Sequence, residues 1–340
     1  MVTKLRQYFP MIRTREEVMD EIRSSPRLSQ MFYSWKEKYQ KEFLDFCTGA
    51  KGVKILYDSF FKEIMNPEYN PERLEDFLSL LMKQAVKIVA VLPNDSVRLA
   101  DEMSLLVTDI IVQLEDASLV NLEIQKIGYA FPGQRASCYN ADALLRQYKR
   151  IRGMKGETFS YRDMKQVYLI VLFEESPREL KAMFPEYRHN GEVAFDTNLQ
   201  MEMLGKYIFI ALDIFKETHH NKDIGNELEA WLTFLCSDDP EQIAVLTERY
   251  PAFRRLYEDV YNLCLNMERV MEMFSKELLE LDRNTVRYMI DEMQATIDQQ
   301  KKQLDEANIK LNETNTQLDE ANLRLQAALE ELERLRNRQK

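Results

Sequence analysis

The chain has 340 residues, of which 45% are hydrophobic and 10% aromatic, so it can bury a sizeable core and is not disordered throughout. Its formal net charge is -11, from 46 basic and 57 acidic side chains, so the overall charge does not indicate a nucleic-acid-binding protein. A polyanion responds to the local electrostatic potential, however, so the net charge does not exclude a locally basic binding surface. Nine glycines and three histidines disfavour a glycine-rich nucleotide fold and a histidine-rich metal site, so any metal must be bound by carboxylates.

The cysteine pattern predicts a reducing compartment. The four cysteines are scattered without CxxC spacing, which is not typical of a zinc site or of a disulfide framework, and we expect a cytoplasmic protein. No apolar run approaches the roughly 18 residues of a membrane span. The first 13 residues lack the apolar region and the cleavage site of a secretory signal.

The predicted elements divide the chain into helical and strand-rich parts. Residues 1 to about 85 are predicted to be mostly helical, and the i, i+3, i+4, i+7 spacing of Leu74, Phe77, Leu78 and Leu81 is the clearest case. The elements predicted after it are strands at 86–92, 105–114 and 119–127, a helix at 134–151, strands at 167–173 and 207–212, and helices over 226–274. This order predicts an α/β or α+β core of about four or five strands.

The end of the chain has a different repeat. Isoleucine or leucine recurs at every seventh position, at Ile290, Ile297, Leu304, Leu311, Leu318, Leu325 and Leu332. This repeat predicts a coiled coil and a homo-oligomer formed through residues 290–335. Glutamine, threonine, alanine and asparagine occupy many of the companion positions and pack poorly, so a free solvated helix remains the alternative.

The predicted hairpin over 105–127 carries the residues with the clearest chemistry. Because strand side chains alternate, Asn121, Glu123 and Gln125 share one face, and the residues between them are apolar. Asp109 lies inside an apolar run of the preceding strand. A buried carboxylate costs several kcal/mol (a rough figure) unless it meets a cation. No arginine lies in either strand, so a divalent metal is the expected partner.

That hypothesis sets a condition on the hairpin register. Asp109 and Glu123 face the same side if they are paired directly or are two residues apart. Direct pairing centres the hairpin on Asp116 and requires an odd-numbered loop or a bulge. A clean four-residue loop would instead pair Asp109 with Ile124 and direct the two carboxylates to opposite faces.

Oxygen ligands of this kind suit Mg²⁺ or Mn²⁺, with water completing the coordination. Such a metal polarises a phosphoryl oxygen and lowers the pKa of a bound water, which is the chemistry of phosphodiester cleavage. Gln125 lies on the face of Glu123, within reach of that water or of the phosphate. Two alternatives stay open: Asp109 as a satisfied core acid, and Glu123 with Gln125 as the solvated face of an edge strand. Carboxylate ligands also do not choose between DNA and RNA.

In these and neighbouring residues, the chain resembles the PD-(D/E)XK nuclease family transposases, also called recombination-promoting nucleases. The resemblance covers roughly residues 55–275 and rests on four features: the segment from Tyr57 to Lys62, the acidic pair Asp101 and Glu102, the strand from Asn121 to Gln125, and Arg135, Tyr139 and Gln147 of the following helix. It implies a restriction-endonuclease-like core, Mg²⁺-dependent DNA cleavage and a link to DNA mobility or recombination. Asp109 and Glu123, with Glu102 as a third ligand, would hold the metal. The implied division is a helical segment 1–54, a nuclease-like domain 55–283 and a coiled coil 284–340.

One residue departs from the wider superfamily, which has lysine at the position of Gln125. Lys126 is adjacent, but it belongs to the opposite strand face. Glutamine offers no positive charge to the transition state, and loss of such a contact costs about 10²-fold in rate. We therefore expect slow or conditional cleavage. The alternative is a degenerate nuclease fold that serves as a coiled-coil interaction module.

The helix after this strand is strongly basic. Residues 135–165 contain eight basic and three acidic side chains, a net +5 within an acidic chain. The positions predicted to contact DNA phosphates, without sequence-specific recognition, are Arg135, Tyr139, Arg146, Lys149 and Arg150. The positions predicted to face the core are Cys138, Ala141, Leu145 and Tyr148. An ordinary solvated basic face is the alternative.

Overall fold

The computed structural model describes residues 3–92, 110–127, 131, 133–197, 199–220 and 222–338. The helices in these ranges are α1 (Lys4–Tyr8), α2 (Arg15–Ser24), α3 (Pro26–Ser34), α4 (Glu37–Cys47), α5 (Asp58–Ile64), α6 (Pro71–Met82), α7 (Gly133–Lys155), α8 (Arg178–Lys181), α9 (Leu212–Thr218), α10 (Glu227–Cys236), α11 (Pro240–Arg249), α12 (Ala252–Leu265) and α13 (Met267–Arg338). The strands are β1 (Ile88–Leu92), β2 (Ile110–Leu114), β3 (Leu119–Gln125), β4 (Val167–Phe173), β5 (Arg188–Glu192) and β6 (Gly205–Ala211).

The helical start of the chain is confirmed, and its helices begin at capping residues. Thr14 Oγ1 accepts a hydrogen bond from the backbone N–H of Glu17 (3.2 Å), and the Glu17 carboxylate accepts one from the backbone N–H of Thr14 (2.6 Å). This reciprocal pair satisfies two backbone donors at the start of α2. Ser25 caps α3 with one such bond, from the N–H of Leu28 to its Oγ (3.4 Å), and Pro26 is the first helical residue. Local sequence therefore fixes where these helices start.

The six strands form one mixed sheet in the order β1-β2-β3-β4-β6-β5. β1, β2 and β3 are antiparallel neighbours, β3, β4 and β6 run parallel, and β5 is antiparallel to β6. The α/β fold is confirmed, with one strand more than the upper expectation of five. The additional strand is β5, whose polar sequence from Arg188 to Glu192 has no apolar alternation because it lies half-exposed at the edge of the sheet.

Helix α7 covers one side of the sheet, which we call the α7 side. Tyr139 of α7 packs in one cluster with Val171 and Phe173 of β4, and Ala143 packs with Leu119 and Val167 at the other ends of β3 and β4. These contacts show that α7 runs antiparallel to β3 and β4. The alternate strand residues, among them Val120, Leu122 and Ile170, are buried on the opposite side of the sheet.

The core face of α7 differs from the prediction. Cys138, Ala141 and Leu145 were expected to face the core and are exposed. The buried face instead carries Asn140 and Gln147 among its small and aromatic residues. These polar groups are tolerated because the backbone satisfies them: Gln147 Nε2 donates to the carbonyl of Ala117 (3.3 Å), and Gln147 Oε1 accepts from the N–H of Lys165 (2.9 Å).

Two compact units make up the chain, one ending at Leu278 and the other beginning at Leu279. Residues from the N-terminal helices through the first turns of α13 belong to the first unit. The second unit is helical as far as Arg338, and Ile297, Leu304, Leu311 and Leu318 are exposed along it. Within the described ranges, none of the helices combines the length and the hydropathy that crossing a bilayer requires.

Candidate active site

The polar residues of β3 lie on the α7 side of the sheet, in a buried environment. Asn121 is 1% exposed and Glu123 is 5% exposed. In the parallel register Asn121 is paired with Leu169, and Glu123 with Val171. Leu169 and Val171 belong to the apolar cluster under α7, so Glu123 is a carboxylate within a hydrophobic layer. The alternative of a solvated edge-strand face does not describe Glu123, because β3 is an interior strand.

The described part of the hairpin has an odd-numbered loop. β2 and β3 are paired as Ile110 with Leu122 through Gln113 with Leu119, and the N–H of Leu114 donates to the carbonyl of Ser118 (2.9 Å). The loop therefore has three residues, and its last one, Ala117, has a positive φ of 68°. These four pairs have the register in which positions 109 and 123 are partners. Asp109 and Glu102 themselves lie outside the described residues.

Gln125 and Lys126 lie at the end of β3 and have different surroundings. Gln125 Nε2 donates to the carbonyl of Ile127 (2.8 Å), which holds the amide close to the backbone. Lys126 forms an ion pair with Glu277, and its Nζ lies 5.7 Å from the centre of the Tyr57 ring. Glu277 is 1% exposed and also accepts a hydrogen bond from the N–H of Asp58 (3.1 Å). Lys126 thus neutralises a buried acid on the side away from α7.

The described residues near Glu123 supply some, but not all, of the oxygen ligands that a hard cation requires. The side-chain Oδ1 and Nδ2 of Asn121 are buried and have no hydrogen-bond partner in the described part of the chain. Such buried polar atoms call for a partner outside the described residues. The same described ranges contain no cluster of three histidine, cysteine or acidic side chains suited to a metal. A metal site here therefore needs a carboxylate from the undescribed residues, and Asp109 is the predicted one.

The residues predicted to bind phosphates are spread along α7. At its start, Arg135 Nη2 donates to the Tyr139 hydroxyl (2.9 Å), but the Tyr139 ring is buried and belongs to the core. In the middle, Arg146 Nε donates to Asp142 (2.7 Å). Lys149 and Arg150 are exposed near the far end. Because α7 rises about 1.5 Å per residue, Arg135 and Arg150 are separated by roughly 22 Å along the helix, so they do not form one compact cluster.

An aromatic cluster that the sequence analysis did not identify follows this far end. Tyr148 of α7 contacts Phe159 and Tyr161, with ring centroids 5.3 Å and 6.1 Å away, and Phe159 contacts Tyr161 at 5.4 Å. Arg152 Nη1 donates to the Tyr148 hydroxyl (2.6 Å). The signal that would have found it is the alternation of aromatic and basic residues over 148–162, which the charge count alone did not use.

Comparison with known proteins identifies the family. Residues 55–292, more than half of the chain, match the family model described as PD-(D/E)XK nuclease family transposase. Searches of curated proteins and of solved structures found no match to the chain. The mixed six-stranded sheet is consistent with the restriction-endonuclease-like fold that the resemblance implied. The chain belongs to the PD-(D/E)XK nuclease family transposases.

Proposed function

We propose that the protein is a metal-dependent DNA endonuclease of the transposase or recombination-promoting type. Family membership supports a function of the nuclease and transposase type. The observation that carries the finer proposal is the position of Glu123, a buried carboxylate on the α7 side of an interior strand. It lies next to the amide of Asn121, which has no hydrogen-bond partner among the described residues. A cytoplasmic location is part of this proposal.

The residues that would hold Mg²⁺ or Mn²⁺ are Glu123 and Asp109, with Glu102 as a third ligand. Bound there, the metal would supply Lewis-acid polarisation of the phosphoryl oxygen and a more acidic water. Gln125 would orient that water or the phosphate through its amide oxygen, because its Nε2 is committed to the carbonyl of Ile127. Arg135, at the start of α7, would contact the DNA backbone nearby.

The remaining predicted phosphate contacts lie further along α7. Arg146, Lys149 and Arg150 would contact more distant phosphates of the same DNA and position it without reading its sequence. Tyr139 would support Arg135 through its hydroxyl and not contact the DNA with its ring, because that ring is buried. Because Gln125 brings no positive charge to the transition state, we expect slow cleavage.

Plasmid nicking in Mg²⁺ tests this proposal. We expect Glu123→Gln and Asp109→Asn each to lower nicking by at least about 10²-fold, because each removes an ionised ligand of the metal. Glu192→Gln is the matched control, since Glu192 is an exposed acid on the edge strand β5. Nicking by pure Glu123→Gln protein at the rate of the control would reject the proposed site.

A second candidate function is that of a degenerate nuclease core with an interaction tail. The observation that favours it is the row of exposed Leu304, Leu311 and Leu318 at seven-residue spacing on α13. Calorimetric titration with Mn²⁺ separates the two candidates, because only the nuclease predicts binding that depends on Glu123.

Self-association through residues 290–335 is part of both candidates, and two nuclease sites in one oligomer would allow cleavage of both strands. The double variant Leu304→Asp/Leu311→Asp is expected to sediment as a monomer, because charged residues at the seam oppose coiled-coil pairing. Ile309→Asp is the control: Ile309 is also exposed, but it lies five residues after Leu304 and off the seam. Equal masses for the double variant and the control would contradict this interface.

A further inference from the structure

We propose that the aromatic cluster of Tyr148, Phe159 and Tyr161 binds unpaired bases of single-stranded DNA. The Tyr161 ring is 75% exposed, and it lies nearly parallel to the Tyr148 ring, with an interplanar angle of 13°. Exposed aromatic rings of this kind bind bases by stacking, which tolerates any sequence because every base has a π-face. A duplex keeps its bases stacked on one another, so the ligand offered by this chemistry is a single strand.

The charges around the cluster point to a polyanion. The basic side chains that surround it in sequence, and that form no ion pair in the described part of the chain, are Lys149, Arg150, Arg152 and Arg162. Lys155, by contrast, is paired with Asp163. The guanidinium of Arg152 lies 5.7 Å from the centre of the Tyr148 ring, and its hydrogen bond to the tyrosine hydroxyl holds it there. Stacking rings and available cations together are the two components of single-strand recognition.

The aromatic cluster is not part of the buried core. Phe159 is only half-buried, Tyr161 and Arg162 are exposed, and the short 3₁₀ turn Tyr161–Asp163 is held by backbone capping from Ser160 and Asp163 and not by the ring of Tyr161. Ser160 Oγ accepts from the N–H of Arg162 (3.3 Å), and Asp163 accepts from the N–H of Ser160 (2.8 Å). The turn thus presents the Tyr161 ring to solvent without needing it for its own conformation.

The location relates the cluster to the proposed cleavage site. Tyr139 packs with Val171, the strand partner of Glu123, and Tyr148 and Arg152 follow it by 9 and 13 residues on the same helix. The rise of about 1.5 Å per residue places them roughly 14–20 Å further along the axis. At about 3.4 Å per nucleotide of one strand, that distance corresponds to roughly four to six nucleotides. This inference rests on the proposed function and deepens it, since it assigns the substrate a single-stranded segment beside the cut.

Fluorescence anisotropy with a labelled 12-nucleotide oligo(dT), in EDTA and with the full-length chain, tests the inference without cleavage. Tyr161→Ala is expected to weaken binding by about 5- to 100-fold, the effect of losing one base–aromatic stack. Tyr161→Phe is expected to bind as the parent does, because the ring is kept. Tyr69→Ala is the matched control, since Tyr69 is 74% exposed and lies in the turn between α5 and α6, outside the cluster. Equal affinities for Tyr161→Ala and Tyr69→Ala would overturn the inference.

Three further comparisons sharpen the result. Arg162→Gln is expected to reduce the slope of log affinity against log salt by about 0.7, the value for one phosphate contact on a single strand.

The substitution Tyr161→Ala is expected to weaken binding of a 12-bp duplex less than binding of the oligo(dT). Equal losses for the two ligands would show a phosphate patch without base stacking and overturn the proposal. An oligo(rU) bound more tightly than oligo(dT) would overturn the assignment to DNA.

Glu123→Gln separates this inference from the proposed function. We expect it to lose nicking and to bind oligo(dT) with the parent's affinity, because Glu123 is buried beside a strand residue that packs on Tyr139, whereas Tyr161 follows the far end of α7. Loss of nicking without any effect of Tyr161→Ala on binding would reject the stacking surface alone. Retained nicking by Glu123→Gln, with binding still dependent on Tyr161, would reject the metal site alone.

Discussion

The two sides of the sheet near the end of β3 each bury a carboxylate, and the two carboxylates have different neighbours. On the side away from α7, the buried Glu277 is neutralised by Lys126 and also bound by the N–H of Asp58. On the α7 side, the buried Glu123 lies beside Asn121, whose amide has no partner in the described part of the chain. The difference teaches that burial alone does not identify a functional acid. An internal ion pair indicates a structural role, whereas unsatisfied polar neighbours indicate a place for an external group.

The largest expected effect comes from breaking the ion pair. Lys126→Met leaves Glu277 as a buried charge without its lysine, which costs about 3–5 kcal/mol of unfolding free energy. The double variant Lys126→Met/Glu277→Leu is expected to recover most of that loss, because it also removes the buried charge. Urea denaturation followed by circular dichroism measures both.

Glu123→Gln is the matched variant for the other side of β3. We expect its unfolding free energy to stay within about 1 kcal/mol of the parent or to exceed it, as at sites kept for function at the expense of stability. If Glu123→Gln unfolded as easily as Lys126→Met, the contrast between a structural and a functional acid would not hold.

A smaller effect is expected at Gln125, which lies on the α7 side with Glu123. Gln125→Lys introduces the positive charge that the wider superfamily has at this position, and we expect nicking to rise by about 10- to 100-fold. Gln125→Met keeps the length without the amide and serves as the control, with nicking expected to fall. The measurement is the initial rate of plasmid nicking in Mg²⁺. A lower rate for Gln125→Lys than for the parent would show that the hydrogen bond to Ile127 matters more than the charge.

How much the sequence predicts depends on whether local pattern or tertiary contact decides an element. The continuous apolar run Val167–Phe173 predicts β4 to the residue, since a strand buried on both sides needs apolar residues throughout. The β5 strand was missed because its place at the edge comes from pairing with β6, not from its own polarity. Periodicity also chose the wrong core face for α7, because the buried Gln147 is satisfied by backbone groups distant in sequence.

The same division between local pattern and tertiary contact applies to the candidate site. Glu123 and Gln125 stand out because polar residues alternate in a strand that is otherwise apolar, which is a local signal. The pairing of Lys126 with Glu277 joins residues 151 positions apart. Only the fold brings them together, so strand alternation predicts the correct face for Lys126 but not its partner.

The smallest expected effect concerns a third acid, Glu174, which follows β4 and whose N–H donates to the carbonyl of Gln125 (2.9 Å). Burial raises the pKa of the Glu174 carboxyl above its ordinary 4.5, although Lys126 and Lys54 act in the opposite direction. Because the folded pKa is the higher one, the stability that protonation provides is complete below the unfolded pKa and is lost as the pH rises through the folded pKa.

Glu174→Gln keeps this side chain uncharged at every pH, so it removes the loss of stability that follows deprotonation of Glu174. Its urea midpoint should therefore match the parent's near about pH 4 and exceed it near about pH 7, by less than the change caused by Lys126→Met. Glu175→Gln, at the adjacent exposed acid, is the control and should show no such pH dependence. A gain for Glu174→Gln that is largest at low pH would have the wrong sign. That result would show that Glu174, like Glu277, is an acid whose charged form is stabilised by a lysine.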